Sequence, residues 1–471
     1  MFDNNPVTTT LRDSAAFRWI ALVLLASTMF FAYMFIDVLA PLSTLLETQL
    51  AWSPKTFGTV AGAEYFLNVF ALFLIFAGVI LDKIGVRYSA LLSAFLMVLG
   101  ASIKLYGVSD VFANGGIGHE FFSSFLPDFP ASAKVACIGF AIFGCGVEMA
   151  GVTVSKGIVK WFKGKELALA MGLEMAIARL GVFAVFRLSP IWAASGGVSY
   201  SVGVATLLLL IGLLSFSIYF FFDRKLDQQD KELKKASKEV SEEEFKISDL
   251  KFIFGSRTFW MVAGLCVLFY STIFPFQKFA TGMLESRLNL PTTEASSLFS
   301  YFPIGAMVLT PILGWYLDNK GKGATMLILG ALLVIICHLI FALTPDSMFT
   351  KPIAFGAIIL LGISFSLVPA ALWPSLPKLV DNKVLGSAYS VTFWIQNIGL
   401  MFVPIIIGWA LRASNPGVAE RIAAGEAVKY SYTVPMLIFA SLGVLAFILG
   451  LILKREDKVK GYGLEKPNIK K

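Results

Sequence analysis

Histidine and cysteine are scarce: two His and four Cys occur in 471 residues. No group of either has metal-ligand spacing, so neither a metal nor another cofactor is expected. Cys137, Cys145, Cys266 and Cys337 all lie inside apolar runs, which marks them as free, buried thiols without a redox role. A Gly-Cys-Gly at 144–146 lacks the strand and helix context of a phosphate loop, and no nucleophilic triad can be assembled. Enzymatic activity and ATP-driven pumping are therefore not expected. The polar N-terminal stretch has neither a cleavable signal pattern nor an acidic dileucine, and no Asn-x-Ser/Thr site occurs anywhere. These absences suit a bacterial inner membrane better than a lysosome. Charged residues are also few, at 15%.

Apolar residues fill the space instead, at 57%, with 43 Phe. Runs of twenty or more apolar residues recur along the chain, the pattern of a polytopic protein whose main partner is the lipid bilayer. The net charge of +8 is no argument for nucleic acid, because Lys and Arg in such a chain mark the cytoplasmic side. The expected fold class is an all-α membrane protein with twelve transmembrane helices in two six-helix halves. The first half holds spans at 17–44, 56–81, 88–107, 132–159, 166–193 and 199–222. The second holds 257–286, 295–317, 324–344, 352–376, 384–411 and 431–453. The domains are then 1–222, an amphiphilic, partly helical linker at 223–256, and 257–471 with a short tail. Lys83 and Arg87, Lys160, Lys163 and Lys165, Lys320 and Lys322, Lys378 and Lys383, and the tail lysines all fall on one side. That predicts cytoplasmic termini and a cytoplasmic linker.

One stretch concentrates the chemistry, 146–181, GVEMAGVTVSKGIVKWFKGKELALAMGLEMAIARLG. Glu148 lies thirteen residues before Trp161, and Arg179 lies thirteen after Glu166. At ~1.5 Å per residue both sit ~20 Å from the same face, near the bilayer middle. A charge there costs at least ~2.5 kcal/mol and normally faces a bundle interior or a water-filled path. A small zwitterion needs an acceptor for its ammonium and a forked donor for its carboxylate, which Glu148 and Arg179 supply. The alternative is an internal salt bridge that fixes the packing of spans four and five.

The halves repeat: GVILDKIGVRYS (78–89) follows span two, and GWYLDNKGKGAT (314–325) follows span eight. Asp82 can accept hydrogen bonds from a neighbouring helix N-terminus. Lys83 and Arg87 can grip carboxylates or helix ends across a cytoplasmic gate, with Asp318 as the counterpart of Asp82. This Gly-x-x-x-Asp-Lys-x-Gly-x-Arg loop resembles the signature loop of the major facilitator superfamily, and the resemblance covers nearly the whole chain. Within it, WFKGKELALAMGLEMAIARLG (161–181), FPFQKFATGMLESRLNL (274–290), LGISFSLVPAALWPSLP (361–377) and LGSAYSVTFWIQNIGL (385–400) are similar to the lysosomal dipeptide uniporter family, major facilitator superfamily domain-containing protein 1. The resemblance implies dipeptide transport by facilitated diffusion, with the family's peptide-contacting Glu and Arg matched by Glu148 and Arg179.

Further polar residues sit in the spans. Glu64, Tyr65 and Asn68 in span two are substrate candidates. Glu64, Glu174 and Asp37 are candidates for proton coupling, with pairing to Arg179, Arg187 or Lys278 as the structural alternative. Arg187 is expected to pair with an acid on a neighbouring span. Gln277 and Lys278 follow Pro275, where the helix should break or kink. Trp373, beside Pro369 and Pro374, and Trp394, Gln396 and Asn397 can bind a peptide or serve helix–helix hydrogen bonds. His338 is read as a packed core residue. The expected function is alternating-access uniport of dipeptides or similar small zwitterions by a protein acting as a monomer. The alternatives are a proton-coupled carrier of small organic anions and a non-transporting sensor.

Overall fold

The computed structural model describes residues 10–162, 164–234, 253–380 and 385–467. Residues 235–252 of the expected linker, Lys163 and Lys383 lie outside them. Among the described residues the regular structure is helical, because a backbone in hydrocarbon must satisfy its own hydrogen bonds. Ten helices among the described residues are long and apolar enough to cross a membrane. The longest, Leu167–Lys234, is two helices joined where Gly196 and Gly197 leave helical geometry, Gly197 at φ 74°. Residues 54–84 add three consecutive shorter helices, Pro54–Ala63, Phe66–Phe70 and Phe73–Ile84. The arrangement is consistent with the twelve expected spans.

In chain order, span one is Ala15–Ile36, span two is 54–84, span three is Val86–Gly107 and span four is Ala131–Trp161. Spans five and six are the two parts of Leu167–Lys234, and span seven is Arg257–Leu288. Span eight joins Thr292–Phe299 to Tyr301–Lys320, and span nine is Gly323–Leu343. Spans ten, eleven and twelve are Lys351–Leu379, Leu385–Ala413 and Thr433–Lys460.

Several boundaries differ from the sequence expectation. Span one stops at Ile36 rather than 44: Asp37 ends the helix, and a 3-10 turn at Ala40–Leu42 contains Pro41, which has no backbone N–H. Span two is broken twice, at Glu64–Tyr65 and at Ala71–Leu72, where Leu72 has φ 52°. Span six runs twelve residues into the expected linker, to Lys234. Of the break or kink expected at Pro275, the break does not occur, since one helix passes through it. Proline frees helix carbonyls, and a neighbouring span supplies a donor here: His338 Nε2 lies 3.1 Å from the Thr272 carbonyl. A carbonyl only accepts, so this nitrogen carries the proton. Span ten likewise continues through Pro369, Pro374 and Pro377.

The two sequence halves meet where span two packs on span eleven, span five on span eight, and the end of span one on span seven. A Cβ on Gly58 would lie 2.2 Å from the Pro404 carbonyl oxygen, and one on Gly408 would lie 2.2 Å from that of Pro54. Only glycine lets these two backbones touch. Phe57 packs edge-on to Phe279 at 5.4 Å, and Phe186 against Phe299 at 5.0 Å. These contacts all sit toward the face that carries residues 43–54, called here the far face. The opposite, basic face carries Lys83, Arg87, Lys160, Lys165, Lys320 and Lys322.

Candidate functional site

Glu148 and Arg179 do not bond to each other. Glu148 Oε1 accepts from Asn397 Nδ2 at 3.3 Å, a contact from span four to span eleven that joins the halves. Arg179 makes no ion pair among the described residues. Its guanidinium carbon lies 4.7 Å from the ring centre of Phe365, 5.7 Å from Phe274 and 5.9 Å from Tyr33. Two of those rings belong to the second half. Cation–π contact compensates a desolvated guanidinium while leaving its in-plane N–H fork free. The internal salt-bridge alternative is thereby set aside for this conformation. Tyr33 lies within electrostatic reach of Arg179, Glu174, Glu148 and Glu64, and so stands near the centre of the polar cluster. Glu174 is half-buried and within reach of Arg179 without pairing to it.

Glu64 occupies the first break in span two. The helix can pause there because Gly144 offers no side chain: a Cβ on Gly144 would fall 1.8 Å from the Glu64 carbonyl oxygen. Glu64 is buried, and its Oε2 has no hydrogen-bond partner among the described residues. Asn68 is equally buried, with both amide atoms unpartnered. Tyr65 between them is half-buried.

Asp37, Gln277 and Lys278 form a bonded group within electrostatic reach of Glu64. Lys278 Nζ lies 2.8 Å from Asp37 Oδ1 and 3.0 Å from the Ile36 carbonyl, while Gln277 Nε2 donates to Asp37 Oδ2. All three side chains are buried, so they clamp span one to span seven on the far-face side. That geometry commits Gln277 and Lys278 to Asp37 and gives Asp37 its structural pairing. Trp373 donates to Tyr270 Oη at 3.1 Å, and Trp394 donates to the Val69 carbonyl at 3.0 Å. Both indole donors are thus spent on helix–helix contacts, leaving only ring faces for a solute.

Other expectations are corrected. Among the described residues Arg187 meets no acid: its Nε donates to Ser300 Oγ at 2.9 Å, and the guanidinium sits over Phe183 and Tyr301. The signature loop is engaged inside the first half. Lys156 Nζ bonds Asp82, and Arg87 lies 3.0 Å from Asp227 on the extension of span six, beside Lys160. Lys83 is exposed and Asp318 half-buried. The Asp82 partner is therefore a lysine side chain and not a helix N-terminus, and the Arg87 partner lies on the extension of span six, in the same half of the chain. His338 is packed as expected, against Phe276 and Phe439.

Sequence reasoning missed two things. Lys104, inside span three, is fully buried with its ammonium 3.5 Å from the centre of Phe140. The signal was present, an ionisable residue within an apolar run, as for Glu148. The Arg179 rings carried no such signal, because 43 Phe offer no way to choose Phe274 and Phe365 by pattern.

Residues 25–404 match the Major Facilitator Superfamily. The chain belongs to this superfamily. Its members are transporters and not enzymes, and this chain is a multi-pass membrane protein. The human lysosomal dipeptide transporter MFSD1 is 27% identical over 410 residues, covering 84% of this chain and 80% of the relative. The Danio rerio protein of that name is 28% identical over 355 residues, covering 72% and 69%. The inner membrane metabolite transport protein YhjE of Escherichia coli (strain K12) is 27% identical over 154 residues, 32% of this chain and 34% of that one. Among solved structures, the nucleoside transporter NupG superposes with TM-score 0.65 at 13% identity, over 92% of this chain and 99% of that one. An inward-facing, unoccupied bacterial homologue of the human lysosomal transporter Spinster gives 0.65 at 14%, over 94% and 98%. At such identities these likenesses show the fold, that of the major facilitators.

Proposed function

We propose that this major facilitator carries dipeptides or similar small zwitterions by alternating access and facilitated diffusion. One observation carries the reading: Glu148 and Arg179 come from adjacent spans and are not neutralised by each other. An ammonium can displace Asn397 from Glu148, and a carboxylate can take the free fork of Arg179. Both residues also touch the second half, through Asn397 and through Phe274 and Phe365, so a bound solute would bias how the halves sit together. The clamp of Asp37, Gln277 and Lys278 and the glycine contact of spans two and eleven support a far-face-closed state, with the basic face as the open side. The relatives named as dipeptide transporters support the substrate class. We place the basic face and both termini in the cytoplasm of a bacterium, with two six-span halves moving as the rocking units.

A second reading has its own observation. Glu64 is buried, with one carboxylate oxygen unpartnered, as a group that exchanges a proton would be. Purified protein heated with a dipeptide library should gain thermal stability from dipeptides. Stabilisation by small hydroxy acids with none from dipeptides would overturn the zwitterion reading. Dialanine uptake into liposomes should be indifferent to a pH gradient, and acceleration by an inward proton gradient would replace uniport with coupled transport.

A further inference from the structure

A cavity with charged groups on its wall lies on the far face, beyond the clamp of Asp37 and Lys278. Its volume is about 290 Å³, close to the lower end of small-molecule pockets. Both halves line it. Glu47 and Thr44 come from the helix after span one, while Glu285 and Asn289 come from the end of span seven. Lys429 and Tyr430 come from the loop before span twelve. Thr44 donates to Glu285 at 2.6 Å and Tyr430 donates to Glu47 at 2.5 Å, each bond crossing between halves. Lys429 lies within electrostatic reach of Glu285, yet its ammonium bonds Asn289 instead. Glu285 Oε1 is shielded from solvent and makes no hydrogen bond of ordinary geometry among the described residues, although Thr292 lies close enough to act on the carboxylate. Opposite charges thus face one cavity without neutralising each other. Arg412 and Glu420, which also act on Glu47, pair with each other at 3.3 Å.

We propose that this cavity is a second zwitterion site, formed while the far face is closed, that takes an ammonium at Glu47 and Glu285 and a carboxylate at Lys429. The choice of a zwitterion as its ligand rests on the transport reading above. A ligand that touches residues from both halves binds the closed far face better than an open one, so it shifts the population toward closure. High solute concentration on the far side therefore slows entry from that side. The site acts as a brake on influx.

Two measurements on the full chain test this. The first is initial dialanine uptake into oriented proteoliposomes from the face bearing Glu47. Uptake should rise, pass a maximum and fall by about twofold at tenfold higher concentration. Glu285→Gln keeps an acceptor for Thr44 while removing the charge, and Lys429→Met alters an exposed loop residue. Either variant should abolish the fall and leave the low-concentration limb unchanged. Simple saturation in the wild type, or a fall that persists in both variants, overturns the brake.

The second is dialanine binding by calorimetry to Glu148→Gln/Arg179→Lys protein, whose midplane site is disabled. Residual binding should remain and weaken about tenfold on Lys429→Met. Its absence overturns the second site even where the wild type carries dialanine. Residual binding in a protein that carries no dipeptide would overturn the transport reading and keep the second site.

Discussion

Lys278 of span seven and Asp37 at the end of span one form a buried ion pair, 2.8 Å from Nζ to Oδ1, with Gln277 bonded to the other carboxylate oxygen. The pair crosses between the halves on the far-face side, so in the proposed alternating-access cycle it would oppose opening there. Removing one partner of such a pair leaves an uncompensated buried charge, at about 3–5 kcal/mol. Opening the far face would let water reach that charge.

Lys278→Met is therefore expected to shift the protein toward the far-face-open state, with Asp37→Asn acting in the same direction. The Lys278→Met/Asp37→Asn double variant should recover part of the closed population, because no lone charge remains. Labelling of a cysteine placed at Ser286 by a membrane-impermeant maleimide reports the change. Faster labelling in both single variants and slower labelling in the double variant is the expected order. Equal rates in all four proteins would show that the pair has no part in closure.

Arg179→Lys keeps the positive charge but loses the planar fork that a carboxylate engages at two points. Dialanine affinity should fall by about 10- to 100-fold, as for loss of a charged hydrogen bond. Glu148→Gln should weaken binding comparably while retaining the acceptor for Asn397, so thermal stability without ligand should stay near wild type. Amidated dialanine, which lacks the carboxylate, should bind wild type and Arg179→Lys alike. A clear preference of wild type for the amide over Arg179→Lys would remove Arg179 from the carboxylate role.

The helical architecture was legible because hydrocarbon forces every backbone bond into a helix and leaves long apolar runs in the sequence. Glu148 and Arg179 were legible for the converse reason, as charges where charge is costly. What could not be read was partnership. Nothing in the one-dimensional pattern says that Gln277 and Lys278 turn toward Asp37, or that Trp373 and Trp394 spend their N–H groups on neighbouring helices. The break at Glu64 depends on Gly144, eighty residues away, and the continuity at Pro275 is accompanied by a bond from His338 on another span. Such features arise from packing between distant segments and leave no local period.

Glu465 in the tail caps span nine. Its carboxylate accepts from the Thr325 amide and hydroxyl, both at 2.8 Å, and the tail backbone bonds Lys322 and Gly323 at 3.1 and 2.9 Å. An acidic cap at a helix N-terminus contributes about 0.5–2 kcal/mol. Glu465→Ala should lower the melting temperature measurably, and Glu465→Gln should lower it less because the amide still accepts from Thr325. Hydrogen exchange at the start of span nine should quicken in parallel. Unchanged exchange there would mean that the tail rests on the loop without holding it.

Gly58 and Gly408 set how closely spans two and eleven approach on the far face. A methyl group on either would lie 2.2 Å from a carbonyl oxygen of the other span. Contact at that distance forces the helices apart or bends them, at about 1–3 kcal/mol. The strain exists while the far face is closed and is relieved when the spans separate. Gly58→Ala should therefore raise far-face labelling at Ser286, as Lys278→Met does, without removing any charge. Because the two sites share no partner, combining Gly58→Ala with Lys278→Met should multiply their effects on the open-to-closed ratio. A Gly58→Ala protein that labels like wild type but melts earlier would place the close approach among the requirements for folding, and outside the closure equilibrium.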